Sequence, residues 1–331
     1  MTVSVIIAVH NGAWCIERAI GSLLVQTLPP SEIIVCDDGS TDGTPELVET
    51  RFGSRAIVLR MPRRNASATR ADGLMRARGE WLAFMDADDT WRQDKLERQL
   101  DYLRAHPEVQ HISSDGTLVS NEGVVRSSWL SDYFHPVREL HGDLYRLLLE
   151  RCFVLMSSTM VHRDAYHAVG GMDPKIVYSH DYDLWLRMYA RFPAAVMAEP
   201  LISYFTSPNA LSRNYEARHR DDLDLMRAAE RGEHRRDPSL QRRAGERAAA
   251  LEYKIGVLCM RTGRDAEGRM RLRRAAARGS LPRRALALAG SFVPGWAARA
   301  LKSSSWLKRR VGGAAETPTR VRLDGGQGDA A

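Results

Sequence analysis

EWLAFMDADDTW (residues 80–91) runs five apolar side chains, Trp81 to Met85, straight into three carboxylates within four residues. Burying any of Asp86, Asp88 or Asp89 without a partner would cost several kcal/mol. A continuous apolar run of this length reads as a strand buried on both faces. Its acidic exit then needs a cation or a set of donors to offset the repulsion.

The same grammar recurs upstream. VSVIIAV (3–9) is a β-branched run that turns at His10-Asn11-Gly12. EIIVCDDGS (32–40) is a second apolar run ending in acids, and AIVLRM (56–61) a third. Between them, Trp14, Ile16, Ile20, Leu23 and Leu24 fall at near-helical spacing, and Thr44 is placed to N-cap a helix with Pro45 first inside it. Residues 67–79 read as a helix stopped by Gly79. Thr90 and Gln93 form a capping-box pair ahead of Leu96, Leu100 and Leu103. Strand and helix thus alternate over about 105 residues, which predicts an α/β fold with a mostly parallel sheet and ligands at the carboxyl ends of its strands. The polar clusters at 10–12, 37–40 and 86–89 all follow strands and should share one rim.

Farther on, 117–126 reads as a hairpin, 153–171 as a strand and short helix, and 179–192 as an amphipathic helix with Leu184, Trp185, Met188 and Tyr189 apolar. After about 210 the sequence turns to Arg, Ala and Leu, with helices expected near 216–232, 239–262 and 264–278. An amphipathic segment follows at 283–310, then a small polar tail at 311–331 expected to be disordered.

The chain has 331 residues, 44% hydrophobic and 27% charged, enough for a sizeable core. Its formal charge of +7 favours polyanionic partners without naming one. The basic residues concentrate in the helical tail and no stacking platform is apparent, which disfavours nucleic acid. Cys15, Cys36, Cys152 and Cys259 are scattered, so neither a disulfide framework nor a zinc motif is expected. No stretch has the length of a spanning helix or the layout of a signal peptide. A cytoplasmic protein is the expectation, with the basic amphipathic stretch AARALKSSSWLKRR (297–310) suited to peripheral contact with an anionic membrane, or to packing on the rest of the fold.

No GxGxxG follows the first strand and no GxxxxGK[ST] is present. A divalent ion held by Asp86 and Asp88 is the natural substitute for a glycine loop, since Mg²⁺ or Mn²⁺ binds one or two carboxylates plus phosphate oxygens. Other readings compete. An EF-hand would place Trp91 where its loop needs glycine. DADDT fits the strand-then-DxDxT pattern of haloacid-dehalogenase-type phosphatases with Asp86 as nucleophile, although that pattern usually opens its domain. A solvated turn needs no ligand at all.

The whole set of motifs, VSVIIAVHNG, DDGSTDGT, the helix carrying Arg70 and DADD, occurs in order and resembles the family 2 glycosyltransferases of the GT-A fold. The resemblance is strong over about 3–115 and persists more weakly to about 205. It implies a nucleotide-diphosphate sugar donor (UDP-sugars are the commonest, GDP- and dTDP-sugars the alternatives), a divalent cation, and inversion at the anomeric carbon. It implies a GT-A domain over 1–210, with a nucleotide-sugar half (1–110) and an acceptor half (111–210), then a helical extension over 211–310. It places Ala8 and His10 beside the base and ribose, Asp38 on the base, Arg70 near the diphosphate, Asp86 and Ala87 by the ribose, and Asp86 and Asp88 on the metal. Each has a plainer alternative: a turn role for Asp38, a strand cap for His10, a helix-face charge for Arg70. Asp42 reads as a cap or turn residue, and Asp89 as a helix cap.

Inverting transfer needs a base for the acceptor hydroxyl. The family usually shows Glu-Asp at the start of the helix that here begins SHDYDLWLR (179–187), so Asp181 is the implied base and His180 replaces the Glu. Asp181 also fits a helix-cap acid, favoured by the dipole. Asp183 points to another face and fits a cap or surface role. Ala71 and Asn65 stand where the family often has Asn and Gly. No QxxRW-type signature appears, which points to single transfers onto a glycan or lipid-linked acceptor, as in polysaccharide biosynthesis. A phosphatase and a non-catalytic nucleotide- or membrane-binding scaffold are the competing functions.

Overall fold

Strand β1 (Val3–Val9) lies inside the sheet, with Val5, Ile6 and Ile7 fully buried. Burying each such side chain contributes roughly 1.5–3 kcal/mol of transfer free energy. In the computed structural model, which describes residues 1–206, 214–278, 287, 288, 290 and 291, the chain continues through α1 (Ile16–Leu24), β2 (Glu32–Asp38), α2 (Thr44–Phe52), β3 (Ile57–Met61), α3 (Ala66–Arg76) and β4 (Trp81–Asp86). Next come β5 (Thr90–Trp91), α4 (Lys95–Ala105), β6 (His111–Ser120), β7 (Gly123–Arg126), β8 (Leu140–Gly142), α5 (Tyr145–Glu150), β9 (Met160–His162) and α6 (Arg163–Ala168). The last elements are α7 (His180–Tyr189), β10 (Ala194–Phe205), α8 (Tyr215–Glu230), α9 (Pro238–Arg261) and α10 (Asp265–Arg278).

The sheet order is β3-β2-β1-β4-β9-β6-β10-β5, with β7 beside β6 and β8 beside β10. The first four strands are parallel, and β9 runs antiparallel between β4 and β6. Register sets the rim: Ala8 lies opposite Cys36 on one side and Asp86 on the other. Strand alternation divides the core. Val5, Ile7, Ala83 and Met85 face α1 and α4, while Ile6, Cys36, Leu82 and Phe84 join the aromatic core around Trp185. Phe84 and Trp185 meet edge to face at 5.5 Å.

The C-terminal helices belong to that second core. Leu223, Met226, Ala248, Leu251 and Ile255 are buried in the same cluster as Phe84 and Trp185. Glu252, itself buried, accepts from Arg227 of α8 and Arg271 of α10 and ties the three helices together. Helix α8 also holds the entry to α7. The Asp221 carboxylate accepts from the backbone N–H groups of Tyr178 (2.9 Å) and Ser179 (3.2 Å), and Ser179 Oγ donates to Asp222 at 2.7 Å.

Several local expectations change. Trp14 precedes α1, is 60% exposed, and lies 5.6 Å from the Phe205 ring. Gly43, at φ 83°, takes the N-cap position and Thr44 is already helical. Thr90 and Gln93 form no capping box: Thr90 and Trp91 pair with Ser203 and Ile202, and α4 starts five residues after Thr90, at Lys95. Burying Trp91 and pairing its backbone outweighs a surface cap. Helix α3 ends at Arg76 rather than at Gly79, which is reserved for close approach to Ser4, whose backbone N lies 2.5 Å from where a Cβ would stand. The hairpin at 117–126 and the three late helices form as expected. The segments at 283–310 and 311–331 lie outside the described residues, save four positions of the first.

Gly73 lets α3 lie directly on the sheet, since a Cβ there would stand 2.2 Å from Cys36 Sγ and 3.2 Å from Ile6. Gly73→Ala should therefore destabilise the protein by roughly 1–3 kcal/mol, read from the urea midpoint, and displace the helix that carries Arg70. An unchanged midpoint would show that the sheet surface yields.

Candidate active site

Four chain segments converge at the carboxyl ends of β1, β2 and β4. The turn after β4 is closed by the Asp89 N–H on the Asp86 carbonyl at 3.2 Å. Inside that turn the three acids have different fates. Asp86 is partly buried and accepts from Arg70 Nη2. Asp89 is fully buried: Ser157 Oγ donates to one oxygen and the Phe205 N–H to the other at 2.8 Å. Burial, then the charges of Asp86 and Asp88, pushes its carboxyl well above the usual range. Asp89 is thus neither a helix cap nor open to a ligand; it locks the turn to β10. Ser157 completes the lock by accepting from the Asp86 N–H at 2.9 Å.

Asp88 differs from both. Among the described residues no other side chain or backbone group hydrogen-bonds its carboxylate, although Arg18 donates to its backbone carbonyl at 3.0 Å. Burial, then the nearby charge of Asp86, pushes its pKa up to about 6. A partly buried carboxylate beside a second one, with no donor from another described residue, fits a hard divalent cation. Ala87 sits between the two acids in the same turn, and Ala8 is level with Asp86 across the sheet.

Arg70 reaches from α3 into this corner. Its guanidinium is buried and donates both to Asp86 and to His180 Nε2, the latter at 2.9 Å. A guanidinium only donates, so Nε2 must be the lone-pair nitrogen. His180 Nδ1–H accordingly donates to the Val177 carbonyl at 3.0 Å. Burial and the adjacent Arg70 charge both lower the His180 pKa, in keeping with a neutral ring. The residue after it, Asp181, opens α7 and uses Oδ1 to accept from the Tyr182 N–H at 2.8 Å. Asp183 is buried against Arg187 on another face of the helix, an internal ion pair in place of the expected cap or surface role.

The structure therefore brings Ala8, Arg70, Asp86, Ala87, Asp88, His180 and Asp181 to one corner. Asp38 is nearby but engaged. One carboxylate oxygen accepts from Arg63 at 2.6 Å, the other from the Arg64 N–H and Thr69 Oγ, both at 2.8 Å. His10 is exposed and its Nδ1 meets the Asp38 carbonyl at 3.1 Å, which ties the first two strand ends together. Asp42 accepts from the Ala13 and Thr44 N–H groups, the turn role expected for it. Sequence reasoning missed Arg18, Arg63 and Ser157. Each contacts the acids only through tertiary structure, across 25 to 71 residues of chain.

This arrangement sits in a fold of the GT-A type. The family model for Glycosyl transferase family 2 matches residues 4–166, and the chain belongs to that family. Among curated relatives, an uncharacterised glycosyltransferase of Rickettsia conorii, RC0461, is 30% identical over 58% of this chain, which spans 32% of that protein. The putative teichuronic acid biosynthesis glycosyltransferase TuaG of Bacillus subtilis is 29% identical over 64% of this chain and 82% of its own. WfaP of Escherichia coli, a UDP-Glc:alpha-D-GlcNAc-diphosphoundecaprenol beta-1,3-glucosyltransferase, is 28% identical over 57% of this chain and 70% of its own. The fold is that of S. aureus TarS 1-349 in complex with UDP-GlcNAc (TM-score 0.66, 16% identity, 86% of this chain and 84% of that one). It is also that of the mannosyltransferase PcManGT from Pyrobaculum calidifontis in complex with GDP-Man and Mn²⁺ (TM-score 0.58, 20% identity, 95% and 83%). Membership sets aside the EF-hand and phosphatase readings; Trp91, where an EF-hand needs glycine, is a strand residue.

Because Asp88 is raised above the roughly 3.9 of a free Asp, its ionised form destabilises the native state above about pH 6. That cost is relieved as pH falls through 6, or when a cation binds. Asp88→Asn should raise Tm of the metal-free protein at pH 7.5, with the gain shrinking toward pH 5. Mn²⁺ should raise Tm of the wild type and not of the variant. An equal Mn²⁺ shift in both would remove Asp88 from the metal site.

Proposed function

We propose that this chain transfers one sugar, with inversion, from a nucleotide-diphosphate sugar to a hydroxyl of a glycan or lipid-linked acceptor in cell-surface polysaccharide biosynthesis. The observation that carries the reading is the Arg70 bridge, which ties the donor-side carboxylate Asp86 to His180 at the start of the helix that carries Asp181. Asp181 is the general base. Tyr182 N–H holds one of its oxygens and so orients the carboxylate, and it takes the acceptor proton as the hydroxyl oxygen attacks the anomeric carbon. Arg70, buried and cationic, faces the side on which the diphosphate leaves, and among the described residues its Nε has no partner. A divalent cation, Mn²⁺ or Mg²⁺, held by Asp86 and Asp88, would neutralise the diphosphate and stabilise it as a leaving group.

Ala8, His10 and Asp38 line the base and ribose side, with Arg63 leaving Asp38 when the base enters. UDP is the favoured nucleotide, in line with WfaP and the TarS complex, whereas PcManGT holds GDP-Man. The lipid-linked acceptor follows WfaP. Among the described residues no helix is long and apolar enough to cross a membrane. Work at the inner face of the plasma membrane, reached from the cytoplasm and without nucleic acid, suits such an acceptor. The domain plan is a catalytic unit over 1–210 whose acceptor helix is braced by the helical extension over 211–310.

The test is a panel of UDP-, GDP- and dTDP-sugars with Mn²⁺, scoring released nucleoside diphosphate. One donor should be hydrolysed slowly and EDTA should stop the release; no turnover and no thermal shift across the panel would sink the reading. Once an acceptor is found, Asp181→Asn should cost about 10²–10⁴ in kcat with donor affinity nearly unchanged. Full activity in that variant would assign the base elsewhere.

A further inference from the structure

At the far end of the sheet from the acidic rim, three elements bring two histidines and a glutamate together. His106 caps the C-terminus of α4, Glu108 lies in the link from α4 to β6, and His141 is the middle residue of β8, opposite Ala195 at the start of β10. Strand β6 runs parallel to β4, because β9 is antiparallel to both, and His111 opens β6. The cluster therefore sits at the amino-terminal edge, whereas Asp86 and Asp88 sit at the carboxyl edge.

The atoms are arranged as ligands. His141 Nε2 lies 2.9 Å, and His106 Nδ1 3.7 Å, from Glu108 Oε1. One potential ligand atom from each residue falls within 4.8 Å of the other two, the single trio of this kind among the described residues. Four-coordinate Zn²⁺ with bonds near 2.0–2.1 Å needs ligand atoms about 3.4 Å apart, between the two separations seen. The free nitrogen of His141 is also provided for: Nδ1 lies 2.9 Å from the Tyr102 hydroxyl. Without metal, His141 Nε2–H donates to Glu108; with a metal on Nε2 the ring proton lies on Nδ1, and the Tyr102 oxygen is placed to accept it. Such outer partners fix the tautomer of metal-bound histidines. Tyr102 also stacks on the His106 ring at 4.4 Å and so restrains the second nitrogen ligand.

We propose that His106, Glu108 and His141 bind a borderline divalent ion, Zn²⁺ by class, independently of the catalytic cation. Two imidazoles and one carboxylate suit Zn²⁺ or Co²⁺ far better than the hard ions that Asp86 and Asp88 suit. All three side chains reach solvent, which supplies an entry path and leaves a fourth position for water. The bound ion staples the end of α4 to β8 and so to the first residues of β10.

The experiment is calorimetric titration of metal-free full-length protein with Zn²⁺, and with Co²⁺ followed by visible absorption. To silence the acidic site, both are repeated in the Asp88→Asn background. One equivalent should bind there with micromolar or tighter affinity, give the intense visible bands of tetrahedral or five-coordinate Co²⁺, and raise Tm. His106→Ala and His141→Ala should each weaken binding at least about tenfold, while Mn²⁺-dependent donor hydrolysis is unchanged. No saturable Zn²⁺ binding below about 100 μM, or equal binding in the His106→Ala/His141→Ala double variant, would reduce the cluster to a surface ion pair and overturn the proposal.

Discussion

The guanidinium of Arg70 is the hinge of the site's electrostatics. It is a buried cation, and burying a charge is tolerated only when it is paired and hydrogen-bonded. Asp86 supplies the charge and His180 a neutral acceptor. The pairing joins the end of β4 to the first residue of α7, elements ninety-four residues apart in sequence, taken from Asp86 to His180. A glutamate in place of His180 would bring a second negative charge to Arg70. The imidazole instead accepts without adding charge, and among the described residues Asp86 is the anion hydrogen-bonded to the guanidinium. This chain therefore balances the corner differently from the Glu-Asp pattern usual in its family.

The remaining acids are made tolerable one at a time. Asp89 is sequestered by Ser157 and the Phe205 N–H, Asp38 by Arg63, Thr69 and the Arg64 N–H, and Asp183 by Arg187. Among the described residues, no other residue donates to the Asp88 carboxylate, which is held beside the charge of Asp86. That leaves electrostatic demand at Asp88, where a cation can meet it. Helix α7 is held from the other side by Asp221 and Asp222, so α8 bears on the position of Asp181 although it lies outside the motifs.

Much of the fold was legible because it depends on short-range pattern. The β-branched runs at 3–9 and 32–38, the apolar run at 81–85 and the amphipathic helix at 180–189 are elements whose period and burial are written in consecutive residues. The motifs also marked Asp86, Asp88 and Asp181. The errors have a common cause. The Thr90–Gln93 capping box is a sound local signal, but it lost to pairing of Trp91 with Ile202, a residue more than a hundred positions away. Trp14 has helical spacing, yet it stands exposed beside Phe205.

By itself, then, the sequence determined the alternating α/β architecture, the acidic strand ends and the family, because hydrophobic period and contiguous motifs are local properties. Tertiary structure alone decided which acid is paired and which is open, that His180 accepts from Arg70, that Asp38 is held by Arg63, and that two histidines meet Glu108 across 35 residues. Those outcomes turn on which donors arrive from distant segments, and on the desolvation that follows, neither of which is encoded in any short stretch of chain.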